Sequence, residues 1–350
     1  MSCHPELAVL LLYSGASTPF IPLMVAEGPL HRLVAFATLA PGARSGDLPD
    51  AKESVMAAPY YLCIHGKLTI VGYEPDGDSV RFIADDSSHY GTLKRADRIR
   101  PSKRDGSVQL RFEGVDAPEL HYGSAAQPLG DTARDALLSW IGFTTITYDR
   151  SQRTKVIAAE PATVRAAILT QMAEANGRPV AYLLLASDTE LPADGIWVNV
   201  AQQQLDQTLN VRLLSEAHAY YTVYTSTPAS HRSQLREIAI KARAAGMGVW
   251  GRDATMDWVL ADQASIGPEG QLILPKLFRR CTDYLKAVDK GFVGNLADWL
   301  LASSATPSRN ENDQVLLRDT TEVHLSDLLQ QRNQHIAFQA DLLDLTFVEK

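Results

Sequence analysis

The sequence contains few cysteines, with only Cys3, Cys63 and Cys281 among its 350 residues. Their number is odd, they lie far apart, and none has the short spacing of a metal-binding motif, which argues against a disulfide framework and a cysteine-based metal site. The nine histidines likewise have no ligand spacing, so we interpret them as surface or core residues. The cysteine pattern indicates a reducing compartment.

The sequence also lacks a long apolar run near its start. The apolar segment at residues 7–12 is too short to span a bilayer, has no basic leader and is not followed by a small-residue cleavage site. We therefore expect a soluble, cytoplasmic protein that has no membrane partner.

An excess of positive charge, which is typical of nucleic-acid-binding proteins, is absent as well. The formal net charge is −8, and it divides into −2 for residues 1–65, 0 for residues 66–252 and −6 for residues 253–350. The acidic excess thus lies in the two flanks. A cation bound by carboxylates of the neutral middle would leave its ligand-facing side positive, so nucleic-acid binding remains open.

What the sequence does contain is a pair of aspartates that bracket two predicted strands. Asp78 stands where the first strand, residues 79–84, begins, and Asp116 stands where the second, residues 108–115, ends. If the strands pair as an antiparallel hairpin, these two ends meet. Two carboxylates brought together repel each other, so either a hard metal ion lies between them or one of them is protonated.

Four sequence blocks, in this order, resemble the staphylococcal nuclease family. They are Asp-Gly-Asp-Ser at 76–79, Arg-Phe-Glu-Gly-Val-Asp-Ala-Pro-Glu at 111–119, Gly-Arg at 177–178, and a closing helix at 233–250 that ends in Trp. The resemblance covers about residues 65–252. It implies an α+β fold that is mainly β: an OB-fold five-stranded barrel with helices packed on it.

The resemblance divides the chain into three parts. Residues 63–252 are predicted to form the nuclease-like domain, with insertions at 86–106 and 155–176, and apolar residues at helical spacing predict a helix in the second insertion. Residues 1–62 are predicted to be a small β-containing extension. Residues 253–350 are predicted to be a helical segment and a small β-rich tail. Either extension is a candidate binding site for a protein partner.

The family resemblance implies a phosphodiesterase site with one Ca²⁺ ion. Asp78, Asp116 and the main-chain carbonyl of Ala117 would hold the ion, since hard cations prefer oxygen ligands. Glu119 would act as the general base on the attacking water, or would position it. The implied reaction is endonucleolytic cleavage of DNA or RNA that leaves a 3′-phosphate.

Two arginines complete the implied site. Arg111 and Arg178 would bind the scissile phosphate, because a guanidinium matches phosphate oxygens and neutralises the charge of the transition state. The sequence departs from the family pattern at Asn176, where a tyrosine that packs on the nucleotide is usual. We expect Tyr224 to contact the substrate instead, with Tyr220 or Tyr221 as the alternatives.

The first insertion is rich in basic residues. We expect it at the tip of the hairpin, roughly 20–25 Å from the acidic pair, where it would bind the nucleic-acid backbone away from the scissile bond. Two alternatives remain open: a mobile solvated loop, or binding to an acidic part of the same chain. The basic residues expected to contact substrate are Lys94, Arg95, Arg98 and Arg100.

Three functions therefore compete. The first is a Ca²⁺-dependent nuclease, and the second is a nucleic-acid-binding or protein-binding module with little or no turnover. The third is a nuclease that its flanking regions keep silent until a partner binds. The sequence leaves the first and the third equally open.

Overall fold

The computed structural model describes residues 59–305 and 310–349, which belong to one compact unit, Ala58–Lys350. The predicted N-terminal extension, residues 1–62, therefore lies outside the described residues except for its last four, and residues 60–62 already belong to the first strand. The fold is α+β. None of the helices in these two ranges is long and apolar enough to cross a membrane.

A curled seven-stranded sheet forms the centre of the fold. The first ten strands are β1 (Tyr60–Thr69), β2 (Arg81–Ala84), β3 (Val108–Gln109), β4 (Arg111–Phe112), β5 (Val115–Asp116), β6 (Thr145–Tyr148), β7 (Val156–Glu160), β8 (Thr163–Ala173), β9 (Pro179–Leu185) and β10 (Trp197–Asn199). The strand order of the central sheet is β3-β2-β1-β8-β9-β4, and β10 pairs with the free half of β1.

The sheet is nearly closed into a barrel. Strands β3 and β4 stand at opposite ends of the strand order, yet only Leu110 separates them along the chain. The sheet must therefore curl until its two ends meet, as the strands of a barrel do. This arrangement is consistent with the predicted OB-like fold.

The helix predicted for the second insertion is wrong, because Thr163–Ala173 is an eleven-residue strand in the middle of the sheet. It pairs antiparallel with β1 and with β9. The apolar residues that suggested a helix lie four positions apart, a spacing that places side chains on one face of a helix and also of a strand. Consecutive buried residues from Ala166 to Thr170 identify a strand that is covered on both faces.

One predicted barrel strand lies outside the main sheet. Thr145–Tyr148 pairs only with β7, in a two-stranded sheet of its own. The second insertion thus supplies β7 to this hairpin and β8 to the barrel. The predicted five-stranded barrel is replaced by the seven-stranded sheet because β8, β10 and the divided β3–β4 segment all join it.

Four helices and two short strands complete the nuclease-like part. These elements are α1 (Gly130–Ile141), α2 (Gln202–Leu205), α3 (Leu209–Ser215), β11 (Tyr220–Tyr221), β12 (Val223–Tyr224) and α4 (Ala229–Ala244). β11 pairs with β5, and this pairing anchors the end of the predicted hairpin. A first hydrophobic core fills the barrel and the space beneath these helices.

The C-terminal residues pack directly on this part. The C-terminal elements are β13 (Asp257–Val259), α5 (Pro275–Asp289), α6 (Leu296–Ser304), β14 (Gln314–Leu317), β15 (Thr321–His324), β16 (Leu329–Arg332), β17 (His335–Phe338) and β18 (Leu345–Phe347). β18 pairs in parallel with β12, and Tyr220 and Val249 belong to the second hydrophobic core, which the C-terminal elements dominate.

Candidate active site

Asp78 and Asp116 meet where the antiparallel hairpin predicts. The amide of Phe112 donates to the main-chain carbonyl of Asp78 (3.2 Å), and the amide of Ala117 donates to Asp78 Oδ2 (3.2 Å). Gly77 allows this close approach, because a Cβ at that position would lie 2.7 Å from the Cβ of Ala117. The two ends of the hairpin therefore bring the acidic side chains into one cluster.

Burial and mutual repulsion act on this acidic cluster. Burial raises the pKa of Asp78 to about 7, and the negative charges of Asp116 and Glu119 act in the same direction. Burial also raises the pKa of Glu119 above its usual value, although Arg279 opposes that shift. The cluster therefore favours either a proton or a fixed positive charge beside it.

That positive charge is Arg279, which projects from α5. Its Nη1 and Nη2 atoms donate to Asp116 Oδ1 (3.2 Å) and Oδ2 (3.0 Å), and Nη1 also donates to Glu119 Oε1. Burial alone would lower the pKa of Arg279, but Asp116 and Glu119 outweigh it and raise the pKa well above its usual value. One guanidinium thus neutralises two residues for which the family resemblance implies a role at a metal site.

As they are arranged, these residues do not fit a Ca²⁺ ion, which takes about six to eight oxygen ligands. Both oxygens of Asp116 and Oε1 of Glu119 accept hydrogen bonds from Arg279. Oδ2 of Asp78 likewise accepts a hydrogen bond, from the amide of Ala117. Across residues 59–305 and 310–349, no group of three His, Cys, Asp or Glu residues is arranged to hold a metal ion. The Ca²⁺ ion remains a prediction, and it requires Arg279 to move.

Arg111 lies beside this cluster, on β4, against the ring of Tyr224. The Arg111 Cζ is 4.4 Å from the ring centroid, and Lys276 Nζ is 5.2 Å from it, both within the range of a cation–π contact. Burial would raise the pKa of the Tyr224 phenol, but Arg111 and Lys276 outweigh it and lower the pKa to about 8. Pairing of Tyr224 with Phe347 fixes the position of the tyrosine.

Arg178 lies on the same side of the barrel as Arg111. β4 and β9 pair in parallel with Arg111 opposite Val180, and Val180 lies two residues after Arg178, so side chains at these three positions share one face. Arg178 Nε donates to Glu174 Oε1 (3.1 Å). The guanidinium is near enough to Asp78 to oppose the rise in its pKa. The extra strands before Arg178 therefore do not carry it away from the acidic pair.

The basic insertion folds back along the barrel, so the prediction that it lies at the tip of the hairpin is wrong. Short 3-10 turns at Ser87–Thr92 and Ala96–Arg98 shorten it. The amide of Lys94 donates to the carbonyl of Gln171 (3.0 Å), which ties the insertion to β8. Backbone hydrogen bonding to a neighbouring strand thus outweighs the extended path that strand length alone suggests.

The basic side chains of this insertion have different surroundings. Lys94, Arg98 and Arg100 are exposed, and the Arg100 guanidinium donates to the carbonyl of Ile99 (3.0 Å). Arg95 instead forms an ion pair with Glu349 near the C-terminus (3.5 Å). That contact is of the kind expected if the insertion binds an acidic part of the same chain.

Sequence reasoning does not assign Lys276 or Arg279 to the site. The available signal is an amphipathic helix that begins at Pro275 and carries these two basic residues three positions apart, on one face. Such a pattern predicts a helix with a basic stripe but does not identify what the stripe contacts. The partners of Arg279 lie 163 and 160 residues earlier in the chain.

Parts of the chain are similar to curated proteins named probable endonuclease LCL3. The identity is 34% over 102 residues for the protein of Clavispora lusitaniae, which is 27% of this chain and 42% of that protein. For the protein of Scheffersomyces stipitis it is 34% over 151 residues, which is 41% of this chain and 56% of that protein. These proteins are homologues from the staphylococcal nuclease-like family. No protein-family model matches the chain.

The similarity covers only part of this chain and only part of each relative. The match to the Meyerozyma guilliermondii protein of the same name is also 34% identical over 102 residues, and it covers 43% of that relative. The chain thus spans roughly two fifths to a little over half of the length of these relatives. The comparisons therefore agree with the resemblance of the sequence motifs without extending it to the whole chain.

Proposed function

We propose that this chain is an endonuclease that hydrolyses phosphodiester bonds of DNA or RNA. The observation that carries the proposal is the approach of Arg111, on β4, and Arg178, just before β9, to one acidic cluster from positions far apart in sequence. The ordered motifs and the names of the homologues support the same function. A solvated or structural arginine would not require this convergence.

The surroundings of the site fit hydrolysis by water. Arg111 and Arg178 would bind the non-bridging oxygens of the phosphate and offset the negative charge that develops in the transition state. As a water oxygen attacks phosphorus, Glu119 would accept the water proton at Oε2, since burial raises its pKa and so makes it a stronger base than an exposed carboxylate. The bond from phosphorus to the leaving sugar oxygen breaks, and that oxygen takes up a proton. Hydrolysis leaves a phosphate monoester and a hydroxyl group.

A cleavage assay tests the proposal. The full-length chain is incubated with fluorophore-labelled single-stranded DNA and RNA, with Ca²⁺, with Mg²⁺ and with a chelator. We expect Glu119→Gln and Arg111→Met each to lower the rate by roughly 100-fold, the usual effect of removing a general base or a transition-state donor. Arg165→Gln is the matched control, because Arg165 lies on β8 and pairs with Asp85 at the surface. Absence of cleavage under every condition would refute the proposal.

A second candidate is a nucleic-acid-binding protein with little turnover. The contact between Arg279 and Glu119 favours it, because a carboxylate that accepts a charged hydrogen bond is a weaker base. Fluorescence anisotropy with the same oligonucleotides separates the two functions. Tight binding without cleavage would support the second candidate, and weakening of that binding by Arg178→Met would assign it to the same surface.

A further inference from the structure

Helix α5 holds Arg279 in the site and buries its opposite side in the second hydrophobic core. Leu277, Phe278 and Cys281 are each fully buried there and belong to the same cluster as Trp258. Withdrawal of the helix would expose all of them to water. The helix is therefore a fixed wall of the site and is poorly suited to be a removable lid.

Polar contacts fix the same helix near the segment that carries Glu119. Gln127 Nε2 donates to the carbonyl of Ile273 (2.7 Å), just before α5 begins, and Tyr122 OH donates to Asp283 Oδ2 (2.5 Å) within it. The segment from 119 to 127 is thus hydrogen-bonded to this helix at two places, one just before α5 begins and one within it. Arg279 consequently keeps its position relative to Glu119.

Rotation of the Arg279 side chain alone would also be unfavourable. Asp116 is 5% exposed, and the Glu119 side chain is 13% exposed. Loss of the guanidinium would leave both carboxylates largely desolvated beside each other, without the donor that binds both of them. A replacement cation would have to supply the same charge in the same place.

We propose that Arg279 is the resident cation of this site and takes the place that a divalent metal ion would otherwise fill. The proposal rests on the proposed nuclease function for its catalytic part, but its cation-binding part stands on the geometry alone. Because a guanidinium presents a planar fork of donors, it can orient Asp116 and Glu119 and still contribute positive charge toward a bound phosphate. Hydrolysis would then need no added metal.

Cation binding gives the first test, and it does not depend on activity. Ca²⁺ is titrated into the full-length wild type and into Arg279→Met by calorimetry, and thermal unfolding is followed in parallel. The control is Arg280→Met, because Arg280 lies next along the same helix and binds two other carboxylates, Glu311 and Asp313. We expect Ca²⁺ to leave the wild type and Arg280→Met unchanged. Arg279→Met should bind Ca²⁺ at least about tenfold more tightly than the wild type and unfold at a higher temperature when Ca²⁺ is present.

Cleavage with and without a chelator gives the second test. We expect the wild type and Arg280→Met to cleave at the same rate in excess chelator as in millimolar Ca²⁺. Arg279→Met should lose the chelator-resistant cleavage. Wild-type cleavage that a chelator abolishes and Ca²⁺ restores would overturn the proposal, as would Ca²⁺ binding to the wild type as tight as that to Arg279→Met.

The remaining outcomes are also decisive. An Arg279→Met protein that folds and does not respond to Ca²⁺ would overturn the proposal, because the carboxylates would then not form a cation site. If Arg279→Met fails to fold, Arg279→Lys replaces it, and we expect this variant to keep the charge and remain insensitive to Ca²⁺. If the wild type cleaves nothing under any condition, the nuclease function fails, whereas the calorimetry still tests the position of the cation.

Discussion

Glu113 is expected to make the stability of this protein fall as the pH rises. The side chain is 6% exposed, and its Oε1 accepts a hydrogen bond from the hydroxyl of Tyr61 (3.2 Å), which is itself fully buried. Burial raises the pKa of Glu113 to about 8, although hydrogen bonds from Thr227 and Tyr61 oppose the shift. The folded protein thus keeps a proton that the unfolded chain releases near pH 4.5.

The sign and size of the effect follow from this difference in pKa. Between the unfolded value of 4.5 and the folded value of about 8, the folded state binds more protons than the unfolded state. The contribution of Glu113 is therefore fully present below pH 4.5 and is lost as the pH rises through about 8. At ~1.4 kcal/mol for each unit of pKa, the loss is at most ~5 kcal/mol. That is a large part of the stability of a typical domain, ~5–15 kcal/mol.

The test compares the wild type with Glu113→Gln in urea unfolding at a series of pH values, followed by tryptophan fluorescence. Glutamine has nearly the same shape and can still accept the hydrogen bond from Tyr61, but it does not titrate. We expect the two proteins to be equally stable near pH 4. Near pH 9, Glu113→Gln should be more stable by several kcal/mol, up to the ~5 kcal/mol ceiling.

Other buried carboxylates do not confuse this comparison. The pKa values of Asp76, Asp78 and Asp253 are also raised by burial, so they add a similar pH dependence to both proteins. The difference between the two curves isolates Glu113. Parallel curves across the whole pH range would refute the reasoning, because they would mean that Glu113 is ionised in the folded protein at neutral pH.

Three further predictions concern the site and its surroundings. Arg279→Met should lower the unfolding free energy in urea by ~3–5 kcal/mol, because it leaves buried carboxylates unpaired. Gly177→Ala should lower the unfolding free energy by ~1–3 kcal/mol, since Gly177 has φ +83° and a Cβ there would lie 2.1 Å from the Arg98 carbonyl oxygen. Gly91→Ala is its control, because a Cβ at Gly91 would meet no atom within 4 Å. The third prediction concerns the basic residues of the first insertion, Lys94, Arg95, Arg98 and Arg100. Replacing them by glutamine should reduce the slope of log Kd against log salt concentration by ~0.7 for each phosphate that the protein no longer neutralises. An unchanged slope in anisotropy measurements would contradict substrate binding by this insertion.

The part of the site that could be predicted from sequence depends on local pairing. Period-two alternation on both sides of a turn indicates a hairpin, and an antiparallel hairpin necessarily brings its outer ends together. This is why Asp78 and Asp116 meet. The apolar pattern did not identify the structure of Thr163–Ala173, because apolar residues four positions apart fit a helix and a strand equally well.

The position of Arg178 could not be derived from that pattern. Its place beside Arg111 depends on β8 crossing the centre of the sheet and on the parallel pairing of β9 with β4. If the β8 residues formed the helix that the sequence predicts, neither the pairing of β8 with β9 nor the place of β9 beside β4 could be inferred. The sequence motif therefore indicated the residue, whereas the sheet topology brings it to the same face as Arg111.

Arg279 lay beyond prediction for a different reason. An arginine on an amphipathic helix has no local signal for a partner 160 residues away, and the net charge of −6 for residues 253–350 suggests that this region would repel nucleic acid. A summed charge, however, does not describe where the individual charges lie. Arg279 of α5 points into the acidic cluster, and Lys276 lies against the ring of Tyr224, so α5 adds positive charge to the site regardless of the acidic total.

The acidic residues of the C-terminal region act in the opposite direction. They pair with basic residues of the nuclease-like part, in the ion pairs Arg95–Glu349, Arg236–Asp344 and Arg243–Asp341. Each region therefore neutralises charges of the other. Arg279 of α5 supplies a cation to the acidic cluster, and the acidic residues of the C-terminal region neutralise arginines elsewhere on the barrel. Nucleic acid would then be attracted mainly near the arginines of the site and the exposed basic residues of the first insertion. A shallow salt dependence, corresponding to only a few phosphates, is the expected consequence, and a slope much steeper than that would mean that the paired arginines also bind substrate.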